Sequence, residues 1–284
     1  MIQAWINHPS FTRDQQLIVI LYELGMATIE QLADITGFKK NQINWSIKRI
    51  RQYEKDRSLK RPDKNASPEE IANYRQRQAE LSEARDQWIR CIRPHHNGVT
   101  VYALGKKGIR YAADMKQEEQ PRRKSEASTG QLDHYMGLNN ILARITREKS
   151  DDTIIQWSNT IEALDNLERY YIMNNQQEVE RIMLIRPDGQ LAIDNRAFWI
   201  EYDNDTERPK PIERKMLAYQ STLELLNDKH RFPVVWVSPH QKRTKELQAI
   251  WKNLQRQIER NRKNKFTPEM HFFTCGEEPE YLLG

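Results

Sequence analysis

The sequence predicts an α+β protein of two domains, and three observations carry that expectation. The chain has 284 residues, enough for two domains of ordinary size, each with a core of its own. Its charge is unevenly placed: residues 1–130 carry 23 Lys and Arg against 16 Asp and Glu, and the rest carries 22 against 24. The first half opens with capped helices, whereas the last half interleaves short apolar runs with amphipathic helices. A basic half joined to a mildly acidic one fits a nucleic-acid-binding module attached to something else, or simply a charged, solvated surface.

Composition also sets bounds. No apolar stretch approaches the roughly 18 residues needed to span a bilayer, and "MIQAWINHPSFTR" lacks a signal peptide's charged start and apolar centre. Cys91 and Cys275 lie far apart and give no disulfide framework. The expectation is a cytoplasmic protein with free thiols and no membrane partner.

Two helices come first. In "TRDQQLIVILYEL" Thr12 precedes Gln15 by three residues, and in "TIEQLADIT" Thr28 precedes Gln31 by three. Both spacings are those of a capping box, in which the two side chains satisfy each other's free backbone N–H groups. Gly25 and Gly37 mark the ends. The apolar positions Leu17, Ile20, Leu21 and Leu24 form one stripe, and Ile29, Leu32, Ala33 and Ile35 another. The connection is a few residues long, which is helix-turn-helix spacing.

A third helix, "KKNQINWSIKRIRQY", buries Ile43, Ile47 and Ile50, spaced i, i+4, i+7. At about 100° per residue the opposite face carries Asn41, Trp45, Lys48 and Gln52, flanked by Gln42 and Arg49, with Lys39 and Lys40 at the start. Amides and bases reach phosphates and base edges in a major groove. An outward Trp45 implies that this face meets something, either duplex DNA or a second subunit. Two alternating runs, Trp88–Arg93 and Val99–Leu104, follow around the turn "PHHNG", with a helix from about Lys106. The order reads as a winged helix-turn-helix domain over residues 1–115, with His95 and His96 at the wing tip. Those histidines and Cys91 lack a second ligand pair at zinc spacing, and "GKKG" lacks the remaining residues of a phosphate-binding Walker loop.

Residues 56–87 form an insertion. Ser67-Pro68-Glu69-Glu70 is a helix start, and Ile71, Tyr74, Leu81 and Trp88 fall roughly on one seam, suited to a homodimer contact or to packing back on the domain. Residues 116–130 hold no apolar residue but Ala127 and read as a linker. From 131 to 284 comes an amphipathic helix, "LDHYMGLNNILARITREK", and the strand-like runs "TIIQWS", "RIMLI", "QLAI" and "AFWIEYD". A helix at about 210–227, the strand "FPVVWVS", a basic helix at about 241–262 and the strand "MHFFT" complete it. This order predicts a mixed sheet with helices on its faces.

The chemistry concentrates in "RPDGQLAIDNRAFWIEYDND". Asp188 sits at a Pro-Asp-Gly turn, and Glu201 and Asp203 end the next long run, on the face of Trp199 by period-two alternation. If Asp188 lies beside Glu201, each close pair of carboxylates repels by about 4 kcal/mol at an effective dielectric of about 20. Mg²⁺ or Mn²⁺ on Asp188 and Glu201 would relieve that repulsion and activate a water against a phosphodiester.

Pro187-Asp188 followed by Glu201-x-Asp203, between a first helix and a later "KMLAYQ" helix, resembles the PD-(D/E)xK phosphodiesterase superfamily. More specifically, the chain resembles the replication-relaxation family of plasmid- and phage-encoded proteins. The matching elements are the winged helix, "LDHYMGLNNIL", "IRPDGQLAI", "AFWIEYDNDTE", "KMLAYQ" and "FPVVWVS", nearly the full length apart from 56–87. The resemblance implies a restriction-endonuclease-like second domain and DNA binding in plasmid replication and relaxation of plasmid DNA. It also implies company with other replication or mobilisation proteins. Asp203 stands where the phosphodiesterase pattern places Lys; Lys215 is the best placed replacement, Lys210 the second, and His134 on the first helix faces the same cleft or packs.

Three functions follow as expectations. The first is a DNA-binding replication or mobilisation protein of a bacterial mobile element. The second is a metal-dependent nicking endonuclease using Asp188, Glu201, Asp203 and Lys215. The third is a transcriptional repressor whose C-terminal domain serves assembly.

Overall fold

The computed structural model describes the chain apart from residues 1, 7, 53–61, 64, 84–86, 93–97, 123–126, 176–183 and 261–265, and apart from the side chains of 77–83. It divides into two compact units, Trp5–Gln131 and Leu132–Gly284, the latter together with Met1–Ala4. One helical turn, α1 (Gln3–Ile6), opens the chain.

In the N-terminal unit, α2 (Arg13–Leu24) and α3 (Ile29–Thr36) start at Thr12 and Thr28 with both halves of the expected capping boxes in place. Gly25 and Gly37 close them. Burial on α2 exceeds the expected stripe: Ile18 and Val19 are buried along with Leu17, Ile20, Leu21 and Leu24, because α4, α6 and a strand all pack against this helix. The short connection between α2 and α3 holds a strand, β1 (Met26–Thr28). Then come α4 (Lys40–Gln52), α5 (Pro68–Glu83), β2 (Ile89–Ile92), β3 (Val101–Leu104) and α6 (Lys106–Met115). Among the described residues the three strands form an antiparallel sheet of order β1-β3-β2.

Two expectations for this unit are corrected. Trp88 does not extend the seam of α5; it precedes β2, and its ring meets Tyr111 of α6 edge-on at 5.2 Å between centroids. The side chain of Leu81 and the wing-tip pair His95 and His96 lie outside what is described. The "GKKG" glycines have a packing role: a Cβ on Gly108 would come within 2.3 Å of the Trp88 carbonyl oxygen, so only glycine lets α6 lie this close to the lead into β2. Parts of the expected linker are also fastened down. Lys116 pairs with Glu23, which is 2% exposed, and lies 3.4 Å from Glu118. Tyr22 donates its hydroxyl to Glu118 at 2.7 Å, and the carbonyl of buried Ala127 accepts from Arg90 at 3.3 Å. A buried carboxylate such as Glu23 requires a cation, and Lys116 supplies it.

The C-terminal unit runs α7 (Leu132–Glu148), β4 (Ile155–Asn159), α8 (Thr160–Asn175), β5 (Gly189–Ile193), β6 (Arg196–Tyr202), α9 (Pro209–Glu224), β7 (Val234–Ser238), α10 (Gln241–Arg260), β8 (Met270–Thr274) and α11 (Glu278–Leu283). Among the described residues the sheet has five strands in the order β4-β5-β6-β7-β8. β4, β5 and β6 pair antiparallel, while β6, β7 and β8 pair parallel, so the sheet is mixed as expected. One core cluster combines Trp199 of β6 with Met216 and Tyr219 of α9 and Leu247 and Trp251 of α10. Each such side chain contributes about 1.5–3 kcal/mol by burial.

The run "RIMLI" is not a strand in its described part: Leu184 and Ile185 are buried in irregular backbone. The Ile185 N–H is satisfied by the Thr222 hydroxyl at 3.0 Å rather than by a neighbouring strand. Helix α8 was not expected. Asn159 starts it by accepting the N–H groups of Ile161 and Glu162 at 2.9 and 3.1 Å, and Ala163, Leu164 and Leu167 form its buried face.

Candidate functional site

The antiparallel hairpin of β5 and β6 sets the site. Gly189 pairs with Ile200, so Asp188, one residue ahead of β5, comes beside Glu201 near the end of β6. The Asp188 carboxylate accepts the Tyr202 N–H at 2.9 Å, and the Asp188 carbonyl accepts the Thr160 hydroxyl at 2.8 Å. Its other oxygen lies 3.4 Å from His134 Nε2 of α7 and 3.8 Å from Lys215 Nζ of α9. Glu201 is fully buried and accepts from Tyr219 at 2.5 Å and from Lys215. Lys215 and Tyr219 are four residues apart on α9 and so reach the same carboxylate from one helix face. Behind Tyr202, Gly137 of α7 makes room: a Cβ there would come within 2.0 Å of the tyrosine ring.

Charge in this cluster is tightly balanced. Burial pushes the Asp188 carboxyl up, but the Lys215 ammonium and His134 outweigh it and hold the group below the usual carboxylate range. Glu201 moves the other way: burial and the neighbouring Asp188 charge raise it, against the pull of Lys215. Lys215 loses solvation by burial yet is raised, because Glu201 and Asp188 favour its charged form. Burial and the Glu201 charge raise Tyr219. His134 is lowered by burial but raised more by Asp188, for a net upward shift. The result is an ionised Asp188 beside a Glu201 with strong proton affinity, with a permanent cation touching both.

The structure thus brings together Asp188, Glu201, Lys215 and His134, whereas the Asp203 carboxylate is engaged by other partners. Asp203 lies past the end of β6, accepts Arg243 Nε of α10 at 2.9 Å, and caps its own turn by accepting the Asp205 N–H at 2.8 Å. Arg243 also reaches Asp205 at 3.2 Å and the Glu207 carbonyl at 2.8 Å. The residue in the expected lysine position is therefore part of a loop clasp, and the cation comes from α9. Lys210 is exposed at the start of that helix. Tyr219, Thr160 and Arg243 had no assigned role in the sequence. Tyr219 had a signal, one turn beyond Lys215; Thr160 and Arg243 had none, since their partners are fixed by tertiary contact.

As hard oxygen donors, Asp188 and Glu201 match what Mg²⁺ or Mn²⁺ take, typically one or two carboxylates with waters completing the shell. The raised proton affinity of Glu201 marks excess negative charge that a divalent cation would relieve. No third His, Cys, Asp or Glu joins them as a metal-holding group among the described residues.

In the N-terminal unit the face of α4 is as the spacing predicts. Ile43, Ile47 and Ile50 are buried with Ser46, while Asn41, Trp45, Lys48, Arg49 and Gln52 are exposed and Gln42 is half-buried. Trp45 is 61% exposed, with Lys48 Nζ 5.5 Å from its ring centroid. Lys40 pairs with Glu30 at 3.3 Å on the surface, and the Lys39 N–H donates to Gln42 at 3.2 Å. Arg49 differs from its neighbours: its guanidinium donates to Asp14 of α2 at 2.5 and 2.9 Å, a bidentate pair that ties α4 to α2.

Fold and site define a two-unit α+β protein whose second unit holds a buried, lysine-balanced pair of carboxylates. The chain belongs to the replication-relaxation family, whose model matches residues 19–235. That stretch contains the α4 face and the Asp188, Glu201 and Lys215 cluster, and it ends within β7, ahead of α10. No curated protein and no solved structure matches the chain. Among the described residues no helix is long and apolar enough to cross a membrane.

Proposed function

We propose that this protein binds duplex DNA of a bacterial plasmid or phage, in the cytoplasm, and acts there in plasmid replication, DNA relaxation or mobilisation. The observation that carries this reading is the α4 face: an exposed Trp45, Lys48 and Asn41 opposite a fully buried isoleucine row. A large aromatic left in water beside a cation, on a helix whose other face is committed to the core, is an anchor awaiting a partner. The order helix, strand, helix, helix, then α5 and the β2–β3 hairpin, with sheet order β1-β3-β2, supports reading this unit as a winged helix with α4 as its recognition helix and α5 as an insertion. The family membership supports the replication theme. A homodimer through the Ile71 and Tyr74 side of α5 is part of the same reading. Hydrogen exchange on the full chain with and without duplex DNA tests it: slowed exchange across α4 is expected, and unchanged exchange there would refute it.

A second reading rests on the cluster itself. An ionised Asp188, Glu201 and the Lys215 cation, on a helix-flanked mixed sheet, support a nuclease-like unit that nicks DNA. Mg²⁺ or Mn²⁺ held by Asp188 and Glu201 would supply an activated water. Lys215 would offset negative charge developing on a phosphate, and Tyr219 would hold Glu201 in place. Supercoiled plasmid with Mg²⁺ or Mn²⁺, compared between the native protein and Asp188→Ala, decides between nicking and a binding-only role. Nicking lost in the variant supports the enzyme; absent or equal nicking removes it.

A further inference from the structure

Helix α10 carries six basic and two acidic residues over Gln241–Arg260, and the arrangement is one-sided. Leu247, Trp251, Leu254 and Ile258 are at most 4% exposed and fix the core side. On the solvent side Lys242, Lys245, Lys252, Arg256 and Arg260 are all exposed. At about 100° per residue these five fall within an arc of about 80°, and at about 1.5 Å per residue they span about 27 Å. None of the five has an ion-pair partner among the described residues. Glu259 flanks the stripe, and Glu246 turns toward Arg243 at 3.2 Å.

Helix stability alone does not select this pattern. Cations at a helix N-terminus oppose its dipole, and α10 has Lys242 and Lys245 near its start and no acid in its first turn. Helices α2, α3, α5, α7 and α8 open with an acid, whereas α4, α6 and α9, like α10, do not. A row of like charges repels itself as well, at a cost that a polyanion would remove. A basic amphipathic helix elsewhere suits a membrane surface or a helix-wrapping protein, but here the apolar side is consumed by the core, which leaves only charge to offer. The placement adds direction. β6 and β7 run parallel, so α9 and α10, which leave their C-terminal ends, both start at the edge of the sheet where Glu201 sits.

We propose that the exposed face of α10 is a phosphate-tracking surface for duplex DNA, carried by the C-terminal unit itself and beginning at the edge that holds the carboxylate cluster. It rests on the reading of duplex DNA as the partner, but not on α4. The test uses the full chain with Lys245→Gln, Lys252→Gln and Arg256→Gln combined, beside a separate Trp45→Ala, Lys48→Ala variant. Binding to a fluorescent duplex is measured across a series of salt concentrations, with thermal melting to confirm that both variants are folded. The α10 variant is expected to bind at least about tenfold more weakly at low salt, with the slope of log affinity against log salt flatter by about 2 to 3. Affinity and slope equal to the native protein's would overturn the proposal, whatever the α4 variant does. Loss in the α10 variant with none in the α4 variant would uphold it while removing the α4 reading. Should the neutral variant prove misfolded, the charge-reversed Lys245→Glu, Lys252→Glu chain gives the same readout, with a larger expected loss.

Discussion

Lys215 is the residue on which the cluster turns, because it is the cation touching both buried carboxylates. Replacing it with Met leaves Asp188 and Glu201 facing each other, and a destabilisation of about 3 kcal/mol is expected at neutral pH. The pH dependence has a defined sign. Asp188 titrates below its unfolded value, so its contribution is present above the unfolded carboxylate range of about 4 and is lost as pH falls toward its depressed value. Glu201 titrates above its unfolded value, so its contribution is present below about 4 and is lost as pH rises through its raised value. The deficit of Lys215→Met should therefore grow from mildly acidic to neutral pH and shrink when Glu201→Gln is added. A melting-temperature deficit that is the same at every pH would contradict this balance. Gly137→Ala is a second test at this scale: its new methyl strikes the Tyr202 ring, with an expected cost of about 1–3 kcal/mol in denaturant unfolding. The sequence marked Asp188 and Glu201 as acids that would matter if they met, but not that they meet: the hairpin turn at Asp194 and Asn195 sets the register that places Asp188 beside Glu201. The engagement of Asp203 was not legible either, because Arg243 arrives from 40 residues away.

At the scale of elements, α4 carries two kinds of arginine and lysine chemistry that one sequence motif cannot separate. Arg49 is spent on Asp14, whereas Lys48 lies over the Trp45 ring and has no ion-pair partner among the described residues. Arg49→Ala should lower thermal stability by about 1 kcal/mol, and Lys48→Ala should leave it unchanged; melting curves of the two variants check the difference. Thr28→Ala, which removes the cap of α3, should cost about 1 kcal/mol by the same measurement. Caps and isoleucine spacing made these helices legible. Helix α8 escaped because Asn159 serves both as the last residue of β4 and as the start signal of the helix, with no glycine or proline between them. "RIMLI" misled for the opposite reason: an apolar run states that Leu184 and Ile185 are buried, not that a neighbouring strand is there to pair with them.

For the whole molecule, charge follows the division into two units, but not completely. The N-terminal unit is basic and presents α4; the C-terminal unit is close to neutral, yet five of its cations line the exposed side of α10. Average composition hid that second surface, since acids elsewhere in the unit cancel it in any sum. The central claim is that duplex DNA is bound through the α4 face, and the most direct measurement is the salt dependence of duplex affinity for the full chain and for Trp45→Ala with Lys48→Ala. The account predicts weaker binding by the variant at every salt concentration and a slope shallower by about 1, with an unchanged melting temperature. Equal affinity and equal slope in a folded variant would contradict it.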